Sequence, residues 1–346
     1  MSKENKTKNT KPMTNLEKKI HEIHYKFVLF GIKNRFVLIK VFKNLRKEKV
    51  MKLFKYNKSL QEDVNYNINT YKTYAEKFST IKLEIIPLSP ETTESKIEFL
   101  KLEGDLKKHQ RFFHIYFNDD IKETKRYYLT KDDDVKKIRV EIDYPVKSLL
   151  GLFNGCLFID VITFKQFSRN NITNMSEMFR GCYNLKEINF SSFNTENVTN
   201  MSYMFTQCFN LKELNLTKFK TRNCTDMKGM FYFCIMLEKI IFDDFNTDNV
   251  TDMSYMFSQC QKLKELKLST CFTDEVQDMR EMFRGCRSLK ELYIPYFHTR
   301  KVIDMNGMLR DVPKDIQMKI KTNYNNITSE AYDHDINDLF RKDSDY

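Results

Sequence analysis

The sequence predicts an α/β chain in which a right-handed solenoid, with one strand and one helix per repeat, follows an α+β N-terminal domain. Three observations carry that expectation. Cys156, Cys182, Cys208, Cys234, Cys260 and Cys286 stand 26 residues apart, and Met175, Met201, Met227, Met253, Met279 and Met305 form a second column at the same spacing. Met178, Met204, Met230, Met256, Met282 and Met308 follow three residues later, beside Phe179, Phe205, Phe231, Phe257 and Phe283, while Thr195, Thr221, Thr247, Thr273 and Thr299 complete the register. A period of this length marks stacked supersecondary units that cannot bury their apolar faces alone.

Each part of one unit has its own signal. Val198, Met201, Met204, Phe205 and Cys208 fall at i, i+3, i+6, i+7 and i+10, the spacing of one helix face. In Leu211-Lys-Glu-Leu214-Asn-Leu216 the period shifts to two, so Leu214 and Leu216 point inward from a short strand while Glu213 and Asn215 point out. No insertion interrupts the register from Leu149 to Leu309, although a loop-built active site would need one unit to swell.

The run Phe193-Asn-Thr-Glu-Asn-Val198-Thr-Asn-Met201-Ser-Tyr-Met204-Phe205-Thr-Gln-Cys208-Phe-Asn-Leu211-Lys-Glu-Leu214, and again Phe245 through Leu266, resembles the BspA-like leucine-rich repeats. The resemblance covers under half of the chain. It implies a leucine-rich-repeat-like horseshoe with a parallel sheet inside and helices outside, and a non-enzymatic binding scaffold, often a surface protein.

Four segments are expected. Residues 1–13 form a basic disordered tail, 14–143 an α+β N-terminal domain ending in a capping strand, 144–312 a solenoid of about six repeats, and 313–346 a C-terminal cap or tail. The net charge of +11 is localised, since residues 1–60 hold 17 Lys and Arg against 4 Asp and Glu. Leu16, Ile20, Ile23 and Phe27 mark a helix, and Phe36 to Leu45 and Val50 to Leu60 read as two more. That pair faintly resembles an F-box, which implies an adaptor coupling a repeat-bound substrate to a ubiquitin ligase, although the leading Leu-Pro and a later tryptophan are missing. Ile81, Leu83 and Ile85 alternate as a strand. Arg111 to Phe117 and Lys125 to Leu129 flank an Asn-Asp-Asp turn and predict a hairpin. Ile138, Val140 and Ile142 alternate next, followed by Asp143-Tyr144-Pro145, and read as the strand and helix that cap the first unit. Repeats stop at Val312-Pro313, and Ser329 to Arg341 could add a helix with Ile336, Leu339 and Phe340 on one face.

All eight cysteines lie at columns that otherwise carry apolar residues, which predicts reduced thiols packed as small hydrophobes. Equivalent side chains in stacked units point in parallel directions, a poor geometry for a disulfide. The N terminus lacks an apolar signal core, and no stretch reaches the ~18 to 20 apolar residues of a membrane span. An intracellular location is therefore expected, against the surface display that the resemblance implies. Asn197-Val-Thr199, Asn223-Cys-Thr225 and Asn249-Val-Thr251 match glycosylation acceptors, but Asn, Thr and Asp at these places also suit helix caps.

Catalytic chemistry has little to stand on. The phosphate-loop, nucleophile-elbow, zinc-protease and dinucleotide motifs are all missing. His21 and His24 share a helix face without a third ligand, and Asp132-Asp-Asp134 reads as a polar turn. No enzyme activity, cofactor, metal or specific nucleic acid is expected; the expected partner is a protein. Its candidate contacts are the outward strand columns Glu187, Glu213, Lys239, Glu265 and Glu291, then Asn189, Asn215, Ile241, Lys267 and Tyr293. These columns read either as a solvated charge ladder or as an interaction face with Ile241 and Tyr293 as apolar anchors.

Overall fold

In the computed structural model, residues 79–89, 96–143, 146–324 and 326–332 are described. The predicted helices over 16–60, the F-box-like pair among them, His21 and His24, and most of the helix expected at 329–341 lie outside these residues. The described chain is mixed α/β with mostly strands and few helices.

Strand β1 (Ile81–Pro87) alternates as expected, with Ile81, Leu83 and Ile85 buried. It is followed by β2 (Ile97–Glu98), the short helix α1 (Gly104–Lys108), β3 (Phe113–Phe117), β4 (Tyr128–Leu129), β5 (Ile138–Ile142) and β6 (Ile159–Gln166). Five strands form one sheet in the order β3-β5-β1-β6-β7, where β7 is Glu187–Asn189. β1 runs antiparallel to both β5 and β6, and β6 runs parallel to β7.

Two expectations change here. The expected capping strand, β5, lies one strand further out, and β1 covers the edge of β6 instead. The expected hairpin is reduced to the single bridge Ile115↔Thr124, because β3 pairs with β5 and β4 pairs with β2. Non-local pairs that bury Phe113, Ile115, Ile138 and Val140 on one face outweigh the local turn.

Beyond β6 the chain repeats. Short strands β7, β8 (Glu213–Asn215), β9 (Lys239–Ile241), β10 (Glu265–Lys267) and β11 (Glu291–Tyr293) recur at the expected spacing, with β8 parallel to β9 and β10 parallel to β11. A second ladder of parallel bridges joins Ser148, Asn174, Asn200, Asp226, Asp252, Asp278 and Asp304 without a break.

The helix expected in each unit is absent; the segment is a series of tight turns. Its backbone donors show why. The N–H groups of Met201, Tyr203, Phe205 and Gln207 donate to the carbonyls of Asp226, Lys228, Met230 and Tyr232 in the next unit, at 2.8 to 3.0 Å. Those of Met204, Thr206 and Cys208 close local turns onto Met201, Tyr203 and Phe205. An α-helix would keep these bonds within its own segment, so alternate donation to a neighbour excludes it. Tyr203 (φ 56°) and Gln207 (φ 61°) are the third residues of two such turns. The same two positions have positive φ in every unit from Gly151 and Gly155 to Gly307 and Asp311.

Side chains tie the units together. Phe153, Phe179, Phe205, Phe231, Phe257 and Phe283 stack with ring centroids 5.3 to 5.8 Å apart and planes within 10°. Met204 and Met230 are fully buried beside them, as expected. Each buried threonine of the column donates to a carbonyl one unit on, Thr221 Oγ1 to Asn246 O at 2.7 Å and Thr247 Oγ1 to Phe272 O at 2.6 Å. Asn200 and Asp226 accept the N–H two residues ahead, the capping role expected for such oxygens but on a turn. Asn197, Asn223 and Asn249 do the reverse: each Nδ2 donates at 2.7 Å to a carbonyl of the preceding unit.

The repeats end on helix α2 (Lys314–Asn323), within the segment expected as a C-terminal cap or tail but ahead of the helix expected at 329–341. Ile316 and Ile320 are buried, and the last turn donors, Gly307 and Leu309, bond to Glu330 and Ala331 at 2.8 Å. Residues 330–331 thus supply the carbonyls that another unit would have offered.

Candidate binding face

Strands β7 to β11 place the expected contact residues two per strand. Glu187, Asn189, Glu213, Asn215, Lys239, Glu265, Lys267, Glu291 and Tyr293 are exposed, while Leu214 and Leu266 between them are closed into the core. Ile241 is half-buried, and its carbonyl accepts the Leu216 N–H at 2.8 Å. Register sets Glu213 beside Lys239, Asn215 beside Ile241, Glu265 beside Glu291 and Lys267 beside Tyr293. β7 does not join β8 in a ladder, nor β9 join β10, so the residues are brought together in pairs rather than on one unbroken sheet.

Charges on this face are partly engaged with one another. Lys267 Nζ lies 3.6 Å from Glu291 and 3.9 Å from Glu265. Glu238, which stands where the units on either side have Lys212 and Lys264, accepts a hydrogen bond from Lys264, which holds its carboxyl below the ordinary range. Lys186 pairs with Asp160 at 2.9 Å in the same column. Half-exposed Tyr293 is the large apolar group of the face.

The cysteines stand apart from it. All eight are buried, and Cys182, Cys208, Cys234, Cys260 and Cys286 direct Sγ at the carbonyl of a phenylalanine in the preceding unit, 3.0 to 3.2 Å away. Burial raises the thiol of Cys234 to about 12 and that of Cys271 to about 11, which keeps them protonated and unreactive at neutral pH. Asp132 and Asp134 flank Asp133, which Arg126 binds through both carboxylate oxygens at 2.8 and 2.9 Å, so the acidic turn is a structural clasp.

What the sequence alone missed lies beside β11. Helix α2 brings Ile316, Lys319, Ile320 and Asn323 alongside Lys290–Pro295, and together with Tyr324 they enclose a groove of about 210 Å³. The i, i+4 pair Ile316 and Ile320 just after Pro313 was the available signal. Among the described residues, no helix is long and apolar enough to cross a membrane.

A leucine-rich repeat protein from Bacteroides ovatus, known from its crystal structure, is similar at 17% identity with a TM-score of 0.29, covering 52% of this chain and 47% of that one. The chain thus spans just under half the length of that protein. No curated protein matches the sequence. The family model described as "Mycoplasma protein of unknown function, DUF285" matches residues 147–266 and 210–324, two overlapping stretches that together take in just over half of the chain. The chain belongs to the DUF285 family.

Proposed function

We propose that the chain is a non-enzymatic protein-binding scaffold of BspA-like, leucine-rich-repeat type, a right-handed solenoid whose concave strand face takes the partner. The observation that carries the reading is the set of side chains that β7 to β11 turn outward, nine of them exposed and Ile241 half-buried, with Leu214 and Leu266 behind them locked in the core. The backbone that carries these side chains is already ordered, so a partner meets them without a folding cost, which favours affinity. The uninterrupted register supports the same reading, because no unit carries the enlarged loop on which a reaction site is usually built.

Proximity labelling in the native cell identifies the partner, and purified full-length chain then measures its affinity. Glu213→Lys together with Ile241→Asp is expected to weaken binding at least ~10-fold, with thermal unfolding as the check that half-buried Ile241 tolerates the change. Deleting residues 1–60 is expected to leave affinity unchanged. Loss of binding on that deletion, with the face variant still binding normally, makes the scaffold reading wrong and puts the ubiquitin-ligase adaptor in its place.

A further inference from the structure

Strand β11 ends the row of parallel strands. It pairs with β10 on one side and with no strand on the other among the described residues. The pairing of β10 shows what that open side offers. Lys264 O accepts the Lys290 N–H at 2.7 Å, and the Leu268 N–H donates to Tyr293 O at 2.9 Å. One unit on, the same two groups are the Lys290 carbonyl and the Ile294 N–H, so β11 presents an acceptor and a donor at the spacing of a further parallel strand.

A groove runs along that edge, walled by the α2 face of Ile316, Lys319, Ile320 and Asn323. The Tyr324 hydroxyl donates to Ile294 O at 2.6 Å and closes one end. Leu292 lines the groove and is half-buried, as Ile240 is on β9, whereas Leu214 and Leu266 are shut away, so the groove has an apolar floor. Its volume of about 210 Å³ suits one large apolar side chain. The rim is basic: Glu291 is engaged by Lys267, while Lys290 and Lys319 have no carboxylate partner among the described residues.

We infer that this groove takes an extended acidic peptide of a partner protein, added as a strand parallel to β11. One apolar side chain enters over Leu292, Ile316 and Ile320, and carboxylates face Lys290 and Lys319. Main-chain bonds to a strand edge supply affinity, and the side-chain pocket supplies specificity. This rests on the scaffold reading and narrows its partner to one with an acidic, apolar-anchored segment.

A random-peptide display library selected on the full chain tests it, with the enriched peptide then synthesised, labelled and titrated by fluorescence anisotropy. Recovered sequences are expected to place Asp or Glu next to Leu, Ile or Phe. Lys290→Glu combined with Lys319→Glu is expected to weaken binding at least ~10-fold, and Glu213→Lys to leave it unchanged. Both lysines are exposed, so the charge reversal leaves the fold intact, as thermal unfolding checks. The inference is overturned by no enrichment, by a consensus without acidic residues, or by equal binding to the charge-reversed variant. Binding that appears only after residues 333–346 are removed also overturns it, since the occupant is then this chain's own sequence. A peptide that responds to Glu213→Lys but not to the lysine pair sinks the groove and leaves the scaffold reading standing.

Discussion

The repeats and the sheet that precedes them pair their backbone groups in opposite ways. From Leu149 onward, a donor that does not close a local turn goes to a neighbouring unit, ahead as Met201 does to Asp226 or back as Thr199 does to Thr173, and such bonds recur along the array. In the sheet of β3, β5, β1 and β6 every pairing is made once, and β1 takes both of its partners from far along the chain. Arg169 sits where the two regions meet, fully buried, donating to Ser79 O and, at 2.6 Å, to Ile142 O. The lesson is that repetition distributes a defect over neighbours, whereas the singular sheet depends on single residues.

The largest test of that contrast is Phe231→Ala, which removes a ring stacked on both sides and is expected to cost about 3–5 kcal/mol. Chemical denaturation reads the loss. Hydrogen exchange should show it spread over the units of Phe205 and Phe257 while β1 and β5 stay protected; protection lost from β1 and β5 to the same degree breaks the comparison.

Arg169→Met sharpens it from the other side. Two carbonyls lose a charged donor, a change expected to cost about 1–3 kcal/mol. Exchange should rise in β1 and β5 and stay low beyond Met201. Uniform loss of protection along the whole chain would show that the junction has no local character.

Gly229→Ala probes the turns. Gly229 has φ 56°, and an added Cβ would lie 2.6 Å from the Tyr203 ring. A cost of about 1–2 kcal/mol is expected, whereas Gln259→Gly at the other positive-φ column should be neutral or slightly stabilising. Equal destabilisation by the two changes would contradict the turn assignment.

The smallest effects are electrostatic, and their signs differ between the regions. Hydrogen bonding to Arg126 lowers Asp133 to about 2, so its contribution is present above its unfolded value of 3.8 and fades as pH falls toward 2. Burial, with Asp252 nearby, raises Asp226, so this carboxylate opposes folding at neutral pH and stops doing so as pH falls through its raised value. Asp133→Asn is therefore expected to destabilise at pH 7, and Asp226→Asn to stabilise. Both differences should vanish in acid, as denaturation midpoints across pH will show. Asn200 already fills the Asp226 position one unit earlier, accepting the Ser202 N–H at 2.9 Å.

Much of this was legible because each repeat position is sampled several times in one sequence. Inward residues such as Met204, Phe205, Cys208 and Leu214 were identified by recurrence before any geometry was known. Recurrence does not give conformation, however. The i, i+3, i+6, i+7 spacing of Val198 to Cys208 suits a helix, and also suits turns that show every third or fourth residue to the core. Gly151, Gly155, Gly181, Gly229, Gly285 and Gly307 fall in just two columns inside that segment, which was the sign against a helix. The outward strand residues followed from the period of two, while the groove beside β11 did not, because it depends on where α2 packs. Positions used once gave least: nothing local to Phe113–Phe117 says that its partner is β5.

The closure at residues 330–331 has a consequence for heredity. Gly307 and Leu309 offer it the same donors that Gly229 and Phe231 offer to Ser254 and Met256. A gain or loss of one whole unit by slipped recombination would leave the remaining turn donors facing acceptors of the same kind, and the same terminal segment would fit the new last unit. Length in this array can therefore drift between lineages without a new folding solution, provided the change is always one full period.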